Sequence, residues 1–241
     1  GGAWNSVGTP YDNARLGRAW QQMVAAADEL AGLDTYRFDL VNIGRQVLSN
    51  HAGELNVKIG EAYQAQDRDA LAKSTQEFVQ LIRELDGLLA TRTEFLLGRW
   101  IGDAVRWAEN DGERRLYEWN ARNMITLWGP RDSTLHEYAR KQWSGMLSGF
   151  YLPRWELFFK RLDESLAADE PFDAEAFENQ IRDWEVAWTH RTDPFPTQPR
   201  GDSVETARQL LAKYGEALVR REAQSLTTDK PVSCSSALPQ Y

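Results

Sequence analysis

The stretch WNARNMITLWGPRDSTLHEYARKQWSGMLSGFYLPRW, from Trp119 to Trp155, holds four of the chain's ten tryptophans: Trp119, Trp128, Trp143 and Trp155. One helical pattern ends near Trp128 and the next begins near Thr134. Between them, Gly129-Pro130-Arg131-Asp132-Ser133 is turn chemistry. Glycine tolerates positive φ, proline lacks a backbone donor, and Asp and Ser bond nearby amides. Thr134 with Glu137 reads as a capping box at the start of the second helix. Leu135 and Tyr138 then fall in its first turn, beside Trp128. Such a corner admits two readings. An apolar wall with a polar tip suits a ligand, and the same side chains also suit two helices packing at a bend.

Outward from this stretch the patterns are helical, with no convincing period-2 alternation, so the predicted fold is all-α, a bundle-like domain of about nine helices. Upstream, the spacing predicts helices over 13–30, 36–65, 68–91, 95–109 and 112–127. Asp34 or Thr35 is the expected cap of the second helix and Asp67 of the third. His51 falls on the apolar face of the second, where a hydrogen-bonded core histidine is the expectation. Downstream, helices are predicted over 135–150, 154–167, 174–189 and 203–222. Pro153 should kink or restart the chain. Trp155, Phe158, Phe159 and Leu162 are expected inward, as are Phe177, Ile181, Trp184 and Trp188. Residues 192–201 hold three prolines and read as an irregular surface crossing. The expected organisation is a helical domain over 1–224 and a polar tail over 225–241.

Length bounds the answer as well: 241 residues suffice for one large domain or two small ones. The single Cys234 excludes an internal disulfide framework. No apolar run approaches the roughly 18–20 residues of a membrane span. Net charge is −8, which argues against a nucleic-acid footprint. The charge is uneven. Residues 91–161 carry twelve Lys and Arg against nine Asp and Glu, a net of +3, and the rest carries −11. A weakly basic central face suits anionic sugars, but solvated helix faces are the better account of it.

Several chemistries fail on spacing. His51, His136 and His190 lie far apart, and none follows a Glu by three residues as in di-iron bundles. His136-Glu137 begins a zinc-protease motif, but position 140 is Arg. No phosphate loop is present. Arg200-Gly201-Asp202 spells an adhesion tripeptide, but the better reading is a turn at Gly201 followed by a helix cap at Asp202. A glycosidase needs two carboxyl groups about 5 Å or 6.5–9.5 Å apart. The 36 acids fall almost entirely on polar helix faces, and no pair is singled out.

Phe95-Leu96-Leu97-Gly98-x-Trp100, Asn120-x-Arg122, Thr126-Leu127-Trp128-Gly129-Pro130, Tyr138-Ala139-x-Lys141-Gln142, Pro153-Arg154-Trp155 and Gln198-Pro199-Arg200-Gly201-Asp202 occur in this order. Their order and spacing resemble the C-terminal domain of the α-N-acetylglucosaminidases, glycoside hydrolase family 89, over roughly Pro10 to Tyr214. The resemblance implies an exo-acting, retaining hydrolase of terminal α-linked N-acetylglucosamine. It places the two catalytic glutamates in an upstream (β/α)8 barrel of the same polypeptide, outside this chain. It implies no cofactor, no metal and a secreted, periplasmic or lysosomal location, while charge and hydropathy speak against a nucleic-acid or membrane partner. It gives Trp128, Leu135 and Tyr138 a substrate-binding role on the pocket wall. Asn120 and Arg122 brace that wall. The loop between Trp128 and Tyr138 is one residue longer than the family pattern. The alternative is a free-standing helical module for protein interaction or carbohydrate binding, without catalysis.

Overall fold

The computed structural model describes residues 11–133 and 140–220. Its regular elements there are helices: α1 (Asn13–Ala25), α2 (Ala27–Leu30), α3 (Asp34–Gln64), α4 (Arg68–Leu89), α5 (Leu97–Val105), α6 (Asp111–Met124), α7 (Leu152–Ala168), α8 (Ala174–Thr189) and α9 (Ser203–Val219). A 3-10 turn at Thr93–Phe95 and a π-helical stretch at Leu147–Tyr151 complete them. The all-α expectation is borne out. The described residues gather into two compact units. The first is built from residues 11–81, 162–174 and 203–220, the second from residues 82–133, 140–161 and 175–202.

In the first unit, Asp12 caps α1 by accepting the N–H groups of Ala14 and Arg15. The predicted helix over 13–30 is broken at Ala26, whose N–H is shared between the carbonyls of Gln22 and Met23. The expected cap of the next helix is also corrected. Leu33 occupies the cap position in extended conformation, and Asp34 is the first helical residue. There its carboxylate lies at the positive end of the helix dipole. Asp67 does cap α4, accepting the N–H of Ala70 at 2.9 Å. Helices α1, α3 and α9 pack on one another. Trp20 is wholly buried among them and donates its indole N–H to the Leu40 carbonyl at 3.0 Å. Gly17 permits close approach, since a Cβ there would lie 2.2 Å from the Leu218 carbonyl oxygen. His51 is buried and its Nδ1 lies 3.0 Å from Glu54, as expected of a core histidine.

The second unit has its core in Leu97, Ile101, Ile125, Met146, Phe150 and Trp188. Its local structure departs most from the periodicity. The helix predicted from Phe95 begins at Leu97, because Leu96 is extended and bridges Ser144. The Leu97 N–H donates to the Ser144 carbonyl, and the Ser144 N–H to that of Phe95. The helix predicted over 135–150 is corrected as well. Residues 140–143 carry no regular structure, and among the described residues of that range helix is present only from Met146. Pro153 falls in the first turn of α7, directly after the π-helical stretch. The Leu152 N–H reaches back to the Leu147 carbonyl, a π-type bond one residue longer than the α-helical one. Helix thus continues into α7 although Pro153 has no N–H to give. Trp155 and Trp184, expected inward, are only half-buried. The crossing over 192–201 is irregular, as expected. It packs on α5 at Gly98, where a Cβ would meet the Pro196 carbonyl oxygen at 2.2 Å. Gly201 takes a φ of +84°, which fits the turn reading of Arg200-Gly201-Asp202.

Candidate functional site

Asn110 starts α6 by accepting the Glu113 N–H at 3.0 Å. The helix ends after Met124 in a turn that carries Trp128. The Trp128 N–H closes this turn on the Asn123 carbonyl at 2.8 Å. Trp128 itself has a φ of +49°. For a bulky residue, the left-handed region is uncommon and costs of order 1–3 kcal/mol. The surroundings hold it there. The Asn123 side chain donates to the Gly129 carbonyl and accepts the Gly129 N–H, both at 2.8 Å. A paired amide clamp therefore fixes the residue that follows the indole. The loop is then pinned to α8. Arg131 donates to Asp183 at 2.7 Å, and Arg182 donates to the Arg131 carbonyl at 3.2 Å. Pro130 to Ser133 closes a tight turn, with the Ser133 N–H on the Pro130 carbonyl at 2.9 Å.

Trp128 is 44% exposed. A rigid, strained, anchored backbone thus presents a large aromatic surface to solvent. Of the other site residues, Leu135 and Tyr138 lie outside the described residues, as do Thr134, His136 and Glu137. Asn120 is exposed on α6. Arg122 is wholly buried. Its guanidinium donates to Glu118 at 2.8 Å and to the Asp193 carbonyl at 2.9 Å. It lies 4.8 Å from the Trp188 ring and 5.2 Å from the Phe195 ring. The planar fork and delocalised charge of arginine suit both contacts. Arg122 therefore ties α6 to α8 and to the proline-rich crossing. One turn on, the Thr126 hydroxyl donates to the main-chain carbonyl of Arg122 at 2.7 Å, just before the turn that carries Trp128.

Sequence reasoning passed over Asn123, which makes the direct contacts to the corner. The signal was present: an Asn in the last turn of a helix, shortly before Gly-Pro, commonly bonds the backbone just beyond it. It also passed over Asp86. Asp86 Oδ1 accepts the N–H groups of Gly145 at 2.8 Å and Ser148 at 3.0 Å, and Oδ2 accepts the Ser144 hydroxyl at 3.0 Å. That carboxylate on α4 caps a helix more than fifty residues away, where the chain returns from the 134–139 segment. No local pattern could reveal it. Past this cap, Tyr151 is packed edge-on to Phe150. Burial pushes its phenol up to about 12, against the opposing charge of Arg140. Arg154 and Glu185 form an ion pair at 2.7 Å with both side chains buried.

Among the described residues no group of three or more His, Cys, Asp or Glu could hold a metal ion. None of the helices there is long and apolar enough to cross a membrane.

Residues 3–213 match the family model described as the α-N-acetylglucosaminidase (NAGLU) C-terminal domain. The chain is similar to human α-N-acetylglucosaminidase, with 32% identity over 205 residues, covering 85% of this chain and 28% of that protein. It also superposes on a family 89 glycoside hydrolase from Clostridium perfringens solved with 2-acetamido-1,2-dideoxynojirmycin. There the TM-score is 0.78 at 29% identity, over 88% of this chain and 25% of that one. Another Clostridium perfringens family 89 structure holds its substrate, GlcNAc-α-1,4-galactose. It matches with a TM-score of 0.79 at 26% identity, over 90% of this chain and 26% of that one. The chain therefore spans about a quarter of the length of these relatives.

Proposed function

The chain belongs to the α-N-acetylglucosaminidase C-terminal domain family, and on that premise we propose that it is the helical part of an exo-acting glycosidase that removes terminal α-linked N-acetylglucosamine. In this reading residues 1–224 form the domain and 225–241 a polar tail. The domain packs on a catalytic (β/α)8 barrel of the same polypeptide, and the two carboxyl groups that cleave the glycosidic bond belong to the barrel. The chain's own contribution is binding. The carrying observation is Trp128, whose exposed indole sits on a strained backbone clamped by Asn123.

The chemistry fits a sugar. A pyranose has an apolar C–H face, and an indole covers it while excluding water. Leu135 extends that wall, and the Tyr138 phenol reaches a ring hydroxyl or the N-acetyl group. The backbone strain at Trp128 supports the reading. Glycine would hold this turn at lower cost, whereas tryptophan there places a ring where a ligand can use it.

The test is steady-state kinetics and thermal melting of Trp128→Ala in the longer polypeptide, with Tyr138→Phe as companion. A wholly buried tryptophan lost to alanine costs about 3–5 kcal/mol of stability. A half-exposed one should cost clearly less. Its loss should lower kcat/KM by about 1–3 kcal/mol if sugar stacking resembles base stacking on aromatic rings. A much lower melt with unchanged kcat/KM in the folded fraction means that the corner only packs helices.

A further inference from the structure

Helix α6 turns an unusual face to solvent. Leu116 and Met124 are 55% and 44% exposed, and Asn120 between them is exposed too. Spaced four residues apart, the three fall within an arc of about 80°. A surface helix ordinarily carries its charges on the outward arc. Here Glu118 and Arg122 pair with each other, away from this arc. Glu113 falls within the arc, but its carboxylate is drawn to the first turn, accepting the Glu109 N–H at 2.9 Å. Asp111, Arg114 and Arg115 are exposed in the first turns of α6; beyond Arg115 the exposed positions of the helix are Leu116, Asn120 and Met124. The stripe ends where Trp128 begins, since the Trp128 N–H bonds the Asn123 carbonyl in the last turn of α6.

We propose that this α6 face, Leu116, Asn120 and Met124 leading to Trp128, is the docking surface for the catalytic part of the same polypeptide. The inference rests on the reading of the chain as one part of a longer glycosidase. Its occupant follows from length and position. The chain accounts for only 25–28% of the relatives it matches, so a partner tethered to it in cis is about three times its size. Tethering gives that partner an effective concentration in the millimolar range, so a modest apolar stripe suffices for stable contact. A flexible methionine and an uncharged asparagine fit such a seam, where a charged side chain would be desolvated without a partner. Contact along α6 also brings the partner to the edge of the Trp128 wall. A sugar held by Trp128 is then within reach of the partner's carboxyl groups.

The test is hydroxyl-radical footprinting of the intact longer polypeptide, read against the urea-unfolded protein. Leu33 is the internal reference, since it is 54% exposed and matches Leu116 in chemistry and accessibility. Oxidation of Leu116 and Met124 should be several-fold slower than their exposure in this domain allows, with Leu33 unprotected. Equal labelling of Leu116 and Leu33 overturns the proposal. Protection that disappears on dilution overturns it too, because that is the signature of a second copy. The outcome separates from the sugar-wall reading. Labelled Leu116 and Met124 with a kinetically damaging Trp128→Ala would sink the docking face alone. Protected side chains with a silent Trp128→Ala would sink the wall alone.

Discussion

At the scale of the residue, the wall depends on side chains that do not touch it. Arg122 is the clearest. Its charge is wholly buried and matched by Glu118, whose side chain is largely buried as well. Arg122→Met should destabilise the protein by about 3–5 kcal/mol, because it leaves a desolvated carboxylate without its partner. Urea unfolding of this variant checks the value, and a change under 1 kcal/mol would show the guanidinium to be dispensable. Tyr151 gives a pH signature. Its phenol stays protonated to about 12 when folded, owing first to burial, whereas an unfolded tyrosine ionises near 10. The unfolded chain therefore loses the proton first as pH rises. The Tyr151 contribution is complete below pH 10 and declines toward pH 12, by about 2–3 kcal/mol in all. Tyr151→Phe should flatten the fall in stability over that window. Parallel curves for the two proteins would rule this out. The burial of Arg122 and Tyr151 was not legible in the sequence, because an arginine on a polar helix face and one tyrosine in an aromatic run carry no mark of it.

Elements follow the same division. Helix α8 has the bounds that its pattern predicts, because a loop with proline precedes it and its apolar stripe is regular. The region from 140 to 152 does not, because its helix starts where a distant carboxylate meets it. Asp86 on α4 satisfies the amides of Gly145 and Ser148 in place of a local cap. Asp86→Ala should cost about 1–3 kcal/mol, the range of a lost cap with orphaned amides. Asp86→Asn keeps an acceptor and should restore part of it. Denaturant midpoints of the two variants check the order, and an alanine variant as stable as the wild type would deny Asp86 the capping role. The T-x-x-E capping box that the sequence places at Thr134 and Glu137 lies outside the described residues.

At the scale of the whole molecule, the 241-residue chain should be catalytically inert by itself. In the proposed reading both carboxyl groups lie outside it, and several acids on its helices are committed to arginine, as Asp163, Asp183 and Glu156 are. Release of chromophore from an aryl α-N-acetylglucosaminide measures this. Turnover above background that persists through repurification would move the active site into this chain. Fold class was open to sequence reading because helical periodicity is a local property that burial of one face enforces. So were the corner at Gly129-Pro130 and the indole before it, since turn chemistry is written in adjacent residues.

By itself, then, the sequence determined the all-α class, the place of most helices, the turn after Trp128 and the order of motifs that marks the family. The tertiary structure alone decided that Trp128 is strained and exposed, that Asn123 clamps it and that Asp86 caps a helix more than fifty residues on. It alone decided that Leu116, Asn120 and Met124 are the exposed positions of α6 beyond Arg115. The physical reason is range. Periodicity and turn preference act over a few residues, whereas exposure, strain and cross-chain hydrogen bonds depend on what the rest of the fold brings alongside.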